Sequence, residues 1–210
     1  RIRKSAHPLI TVAEIDMLFP AGGSGQDLQN TLDAIFKQAE QHVHEGVMML
    51  ILSDRNMNKE RAPIPSLLAG SGLNHYLIKK GLRNSVGIIV ESGEVREVMH
   101  FALLIGYGVD AICPYLAFST VTHLARRGLL EDNILPEMAI DNYMNAVKKG
   151  LLKTIARMGI STIHSFFQSQ IFEALGIDRQ VVDTYFCGTA SRIGGIGLDE
   201  IAQEANLRHK

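Results

Sequence analysis

Two unbroken apolar runs, Val47–Leu52 and Val86–Val90, constrain this chain more than any other feature. A run of that length without polar alternation suits a strand covered on both faces, as in a parallel sheet. Ser53-Asp54-Arg55 closes the first run, and Glu91-Ser92-Gly93 follows the second. Between them, Leu67–Lys80 reads as a helix ending at Gly81, and 54–64 as a loop. After the second run, Val95, Val98, Phe101, Ala102 and Ile105 make a helical stripe, and Asp110–Cys113 is a third, short strand. Strand, helix, strand over roughly 30 residues is a βαβ unit with a right-handed crossover. The three runs are therefore expected as parallel neighbours in one sheet.

Upstream, residues 1–26 are a mixed opening segment. Ser24 with Asp27 fits a capping box. Leu28, Leu32, Ile35, Phe36, Ala39 and Val43 then hold a helical period to about His44, stopping at Gly46. Three sites, Lys79-Lys80-Gly81-Leu82, Arg126-Arg127-Gly128-Leu129 and Lys148-Lys149-Gly150-Leu151, place two cations before a glycine and an apolar residue. Cations suit the negative end of the helix dipole, and glycine accepts the left-handed conformation that closes a helix. All three read as helix endings, although the apolar period Ile140–Met158 runs across Gly150 and implies a kink or break there. Downstream, 159–163 reads as a fourth, weaker strand, 165–175 and 178–186 as helices, 188–197 as a loop and 198–205 as a final helix.

Hydrophobic residues at 46% and charged residues at 20% exclude a disordered chain. A net charge of −1 leaves no cationic excess to neutralise phosphates, so no nucleic-acid partner is expected. The longest apolar stretch, Phe101–Val109, is far short of the roughly 20 residues that span a bilayer, so no membrane partner is expected. Two cysteines, Cys113 and Cys187, cannot build a disulfide framework and suit a reducing, cytoplasmic setting. A closed eight-stranded barrel takes about 250 residues. Three firm strands and one weak one point instead to an α/β fold: a mostly parallel sheet of βα units with flanking helices, a partial barrel. The opening at Arg1 rather than Met reads as a piece cut from a longer polypeptide.

Candidate chemistry is sparse. The histidines are scattered, with no His-x-x-x-His pair, and no metal site is expected. Cys187 is either a nucleophile or an inert thiol, and no activating base is assignable to it. Arg192–Gly197 before a helix is either a phosphate cradle or a tight turn, as is Gly22–Gly25. The more useful polar residues are Ser53, Asp54, Arg55, Glu91 and Ser92. They fall where parallel strands end, which is where α/β folds bind ligands. Structural ion pairs at strand ends are the other reading.

Several long strings together resemble the large subunit of glutamate synthase. They include Ile51-Leu52-Ser53-Asp54-Arg55, Ala62-Pro63-Ile64-Pro65-Ser66-Leu67-Leu68-Ala69, and Val90-Glu91-Ser92-Gly93-Glu94-Val95-Arg96-Glu97-Val98. Gly106-Tyr107-Gly108-Val109-Asp110-Ala111, Met158-Gly159-Ile160-Ser161-Thr162 and Ser191-Arg192-Ile193-Gly194-Gly195-Ile196 follow in order. The resemblance runs from about residue 8 to 205 and is to that family's central domain. It implies that residues 1–210 are one connecting domain, related in topology to the flavin barrel that follows. This domain would have no catalytic residue, cofactor or metal of its own. It would link an amidotransferase domain to an FMN-binding domain and help wall the ammonia tunnel between them. The parent enzyme would make L-glutamate from glutamine and 2-oxoglutarate, using FMN and an iron–sulfur cluster, with a small electron-donating subunit as a further partner. Ser53, Asp54, Arg55, Glu91 and Arg192 would serve tunnel or interdomain contact. Asn74 and Tyr76 beside His75, and Met99 before His100, depart from the family's histidine pattern, so no histidine role is assigned. The alternative is an autonomous βα-type enzyme or binding domain for a small phosphorylated ligand.

Overall fold

A computed structural model of the chain describes residues 10–130, 134–169 and 171–210. The first half runs β1 (Val12–Asp16), β2 (Leu18–Pro20), α1 (Gly25–His44), β3 (Met49–Ser53), β4 (Arg61–Pro63), α2 (Ser66–Lys79), β5 (Gly87–Glu91), α3 (Val98–Gly106) and β6 (Ala111–Cys113). The second half runs α4 (Tyr115–Arg126), α5 (Pro136–Arg157), α6 (Ile163–Phe166), β7 (Glu173–Ile177), α7 (Arg179–Tyr185), β8 (Ala190–Ile196) and α8 (Leu198–His209).

The main sheet has the order β1-β3-β5-β6, and every neighbouring pair is parallel. Spatial order follows chain order and each crossover carries a helix, so the sheet is built as an open portion of a barrel is built. The three expected strands are adjacent and parallel, shifted by one or two residues. β1 is an addition. Its Val12-Ala13-Glu14-Ile15-Asp16 alternates because it lies at the sheet edge, where Ile15 is buried and Glu14 is exposed. β2 and β4 form a small antiparallel pair within the opening segment and the expected 54–64 loop.

Leu50, Leu52, Ile88 and Val90 belong to one core cluster with Leu28, Leu32 and Phe36 of α1 and Leu73 and Leu77 of α2. The capping box at Ser24 is formed, with the Asp27 carboxylate accepting from the Ser24 amide at 2.8 Å. Helix α2 is enclosed by α1, α3 and α7. A Cβ at Gly72 would lie 2.7 Å from the Phe36 ring and 2.9 Å from Tyr185, so only glycine lets those rings close over the helix. At the amino ends of the strands, Arg83 binds Asn74, the Val86 and Gly108 carbonyls, and Asp110, all within 2.8 Å. Its guanidinium thereby ties α2 to the starts of β5 and β6.

Gly81 and Gly128 close their helices at φ of 71° and 63°, as the paired cations before them imply. Gly150 does not. It lies inside α5, where a Cβ would meet Val98 Cγ2 at 2.5 Å, and Leu151 and Ile155 continue into a second cluster with Ala102 and Phe166. Tertiary contact with α3 holds the helix together through the glycine. The closing glycine is Gly159 (φ 77°), after which the Ile160 amide returns to the Ile155 carbonyl.

Three further expectations are corrected. The stretch 159–163 is not a strand, since Gly159 closes α5 and Thr162 caps α6. Within 165–175, the helix stops at Phe166. Phe172 packs on Tyr107 and Phe166 and leads into β7, while Gln170 lies outside the described residues. The loop expected at 188–197 is β8, parallel to β7. Its glycines mask the strand pattern, and Gly195 lies against Gly176, where a Cβ would sit 2.2 Å from the carbonyl oxygen.

Candidate functional site

The parallel register sets Asp16, Ser53, Glu91 and Cys113 side by side across the carboxyl ends of β1, β3, β5 and β6. Ser53 and Glu91 are buried, and Ser53 Oγ donates to Glu91 Oε2 at 2.6 Å. Arg55 Nη2 donates to Glu91 Oε1 at 3.1 Å, and the Arg55 guanidinium lies 4.2 Å over the Tyr115 ring. One residue along, Asp54 Oδ2 accepts from Ser92 Oγ at 2.6 Å, and the Gly93 amide lies 3.1 Å from both carboxylate oxygens. Burial pushes the Asp54 carboxyl above its ordinary range, against hydrogen bonds from Ser92, Tyr115 and Gly93 that pull it down. The Tyr115 hydroxyl is raised above the usual phenol range by burial and by its bond to Asp54.

Beside this network is a cleft of about 480 Å³, lined by Ile64, Pro65, Leu103 and Leu116 together with Asp54, Glu94, Arg96 and Arg208. It opens at the amino end of α2, a position that attracts anions. That position is filled from within, because Glu94 Oε2 accepts from the Ser66 amide at 2.9 Å and from Ser66 Oγ at 2.8 Å. Glu94 also pairs with Arg208 of α8 at 3.4 Å. The glycine-rich segments are occupied in the same way. The Gly25 amide donates to Asp199 and the Gly197 amide to Glu200, both at 2.8 Å. Among the described residues, no three His, Cys, Asp or Glu side chains converge as metal ligands would.

The family model for the glutamate synthase central domain matches residues 1–178. The chain is 49% identical to the glutamate synthase [NADPH] large chain of Bacillus subtilis over 209 residues, covering all of this chain and 13% of that protein. It is 42% identical to glutamate synthase [NADH] of Schizosaccharomyces pombe, over 97% of this chain and 10% of that protein.

This chain belongs to the glutamate synthase central domain family.

The central domain thus spans about a tenth to an eighth of the length of these relatives. Its fold is also like that of a mutant flavocytochrome b2, with a TM-score of 0.51 over 77% of this chain and 40% of that one at 10% identity. That likeness agrees with a partial-barrel α/β architecture. No helix among the described residues is long and apolar enough to cross a membrane.

Of the residues singled out in the sequence, the central domain brings Ser53, Asp54, Arg55, Glu91 and Ser92 into one hydrogen-bonded cluster. Arg192 is not part of it. That residue lies on β8, in a separate two-stranded sheet, with its side chain exposed and 3.5 Å from Glu173. Cys187 lies in the turn joining α7 to β8. Tyr115 joins the cluster as well, two residues after the strand Ala111–Cys113, where the strand-end rule reaches it. Asp16 also stands at this end of the sheet, a position set by the pairing of β1 with β3 and not by an apolar run in the sequence. Its carboxylate pairs with Arg61 at 3.0 Å and accepts from Asn56 at 2.9 Å.

Proposed function

We propose that this chain is the non-catalytic central domain of a longer glutamate synthase polypeptide. In that role it joins an amidotransferase domain to an FMN-binding domain and helps wall the ammonia path between them. The parent enzyme forms L-glutamate from glutamine and 2-oxoglutarate in the cytoplasm. FMN and an iron–sulfur cluster are held outside this domain, and a small electron-donating subunit is a further partner. Residues 1–210 act as one connecting unit.

One observation carries this reading. At the carboxyl ends of the strands, Ser53, Arg55 and Glu91 satisfy one another, as do Asp54, Ser92 and Gly93. A nucleophile needs a base within reach and a cofactor needs converging groups turned toward it. A mutually bonded network, buried at Ser53, Asp54, Glu91 and Ser92, instead makes a rigid wall. The apolar side of the adjacent cleft suits neutral ammonia, and the exposed side chains of Arg55 and Arg192 suit contact with neighbouring domains. An autonomous site for a phosphorylated ligand is disfavoured, because Glu94 already takes the Ser66 amide.

A flavin titration of the 210-residue chain, followed by fluorescence quenching, tests the reading. No saturable binding is expected. A Kd near or below about 1 μM, worth roughly 8 kcal/mol, would overturn it. In the whole enzyme, Leu116→Trp fills the cleft. Glutamine hydrolysis should continue while glutamate formation from glutamine falls, with added ammonium restoring it. Unchanged coupling would remove the cleft from the path.

A further inference from the structure

Helix α5 packs inward on three elements. Leu151 and Ile155 join Ala102 of α3 and Phe166 of α6, and the Tyr143 ring meets Phe118 of α4 edge to face. Its outer side consists of two adjacent ridges at four-residue spacing, Met144-Lys148-Leu152-Ala156 and Asn145-Lys149-Lys153-Arg157. All eight residues are exposed, Met144 and Leu152 by 45% and 52%.

The charge on this face is of one sign. No aspartate or glutamate occurs from Asn142 to Phe172, whereas Lys148, Lys149, Lys153 and Arg157 all fall in that stretch. Among the described residues, none of these four cations forms an ion pair. Lys149, Lys153 and Arg157 stand at i, i+4 and i+8, and like charges at that spacing destabilise a helix. A solvated helix face ordinarily mixes signs, as in α7, where Arg179 lies 3.6 Å from Asp183 one turn on. The helix dipole favours cations in the last turn, which accounts for Arg157 and not for the three lysines.

We propose that in the parent enzyme this outer face of α5 docks an acidic, partly apolar surface of another domain of the same polypeptide. Lys148, Lys149, Lys153 and Arg157 face its carboxylates, and Met144 and Leu152 its apolar side chains. Charge selects the chemistry. Four unpaired cations call for carboxylates, and the interleaved Met144 and Leu152 find apolar partners on a protein but none on a phosphate backbone. Size selects the source. A stable interface with a free partner or a second copy takes about 20–30 residues a side. The two ridges offer eight. A tethered surface manages with less contact, because linkage supplies an effective concentration of roughly millimolar. The chain makes up 13% and 10% of two relatives, so most of such a polypeptide lies outside it, on whichever side. The inference rests on the chain being one domain of a longer polypeptide, and not on any role in ammonia transfer.

Carbodiimide cross-linking of the full-length parent enzyme, read by mass spectrometry, tests it. Amide bonds should form between Lys148, Lys149 or Lys153 and aspartates or glutamates of the same polypeptide outside this chain. In a mixture of unlabelled and isotope-labelled enzyme, each linked pair should carry a single label. Pairs carrying both would overturn the proposal in favour of a second copy. The three lysines should also acetylate about 10-fold more slowly than in the urea-unfolded enzyme, as a surface held at millimolar effective concentration would cause. Full reactivity would show the face bare and overturn the proposal. Slow acetylation relieved by nuclease would overturn it in favour of a nucleic acid. Lys149→Glu combined with Lys153→Glu reverses the charge of one ridge and leaves the buried side of α5 untouched. In that variant Lys148 should become fully reactive while the amides of 151–155 stay slow to exchange, showing that the helix persists. A Lys148 that stays slow would show that charge does not hold the partner. The readouts do not depend on flavin or ammonia, so a failure of the connecting-domain reading would register separately.

Discussion

Ser53 and Glu91 are register partners on neighbouring parallel strands, and the serine hydroxyl donates to the buried carboxylate at 2.6 Å. Arg55 supplies a second donor at 3.1 Å from the half-exposed side. Ser53→Ala removes the inner donor and leaves the Arg55 bond in place. Hydrogen bonds to charged groups contribute about 1.5–3 kcal/mol, so urea denaturation should show a loss of that size. A loss below about 0.5 kcal/mol, the range of ordinary surface changes, would mean that Glu91 finds another donor.

Asp54 makes stability depend on pH in the direction opposite to a salt-bridged acid. Burial raises its folded pKa above the ordinary 3.8. Between those two values the native state binds more protons than the unfolded state, so stability is greatest below the window and falls as pH rises through it. Asp54→Asn removes this contribution. The stability of the parent sequence minus that of the variant should decline as pH rises from about 3.8, the unfolded value. A difference that grows with pH would mean that the bonds from Ser92, Tyr115 and Gly93 outweigh burial.

Arg83 donates through Nε, Nη1 and Nη2 to acceptors on four residues. A lysine keeps the charge but cannot reproduce the planar fork. Arg83→Lys should cost about 2–5 kcal/mol, because the buried Val86 and Gly108 carbonyls lose their donors. Chemical denaturation reads this directly, and a near-neutral result would show that the carbonyls are re-satisfied by water.

Two glycines separate backbone strain from crowding. Gly81 has φ of 71° with nothing within 4 Å of its absent Cβ, so Gly81→Ala should cost about 1 kcal/mol through conformation alone. Gly150 has helical dihedrals, and alanine there gains about 1 kcal/mol in propensity. Its Cβ would nevertheless press on Val98 Cγ2 at 2.5 Å, and overpacking costs about 1–3 kcal/mol. Gly150→Ala should therefore destabilise, with the effect shrinking in a Val98→Ala background. A stabilised single variant would show that α5 shifts freely against α3.

The sequence alone determined the three central strands, their parallel order, the long amphipathic helices, the capping box at Ser24 and the glycine stops at Gly81 and Gly128. Each rests on information within a few neighbouring residues: an apolar run, a helical period, or a cap three positions away. The cluster of Ser53, Asp54, Arg55 and Glu91 was legible for a related reason. Parallel strands that start and stop together carry their terminal residues to one end of the sheet. Tertiary structure alone decided the rest. α5 runs through Gly150 because Val98 and the Leu151–Ile155 cluster hold it there. β8 is a strand because Gly195 can lie on Gly176, a pairing that no local pattern encodes. Arg192 stands apart from the Ser53–Glu91 network because β7 and β8 form their own sheet. In each case the deciding partner lies on another element of the fold, so the free energy that selects the conformation exists only once the chain has folded.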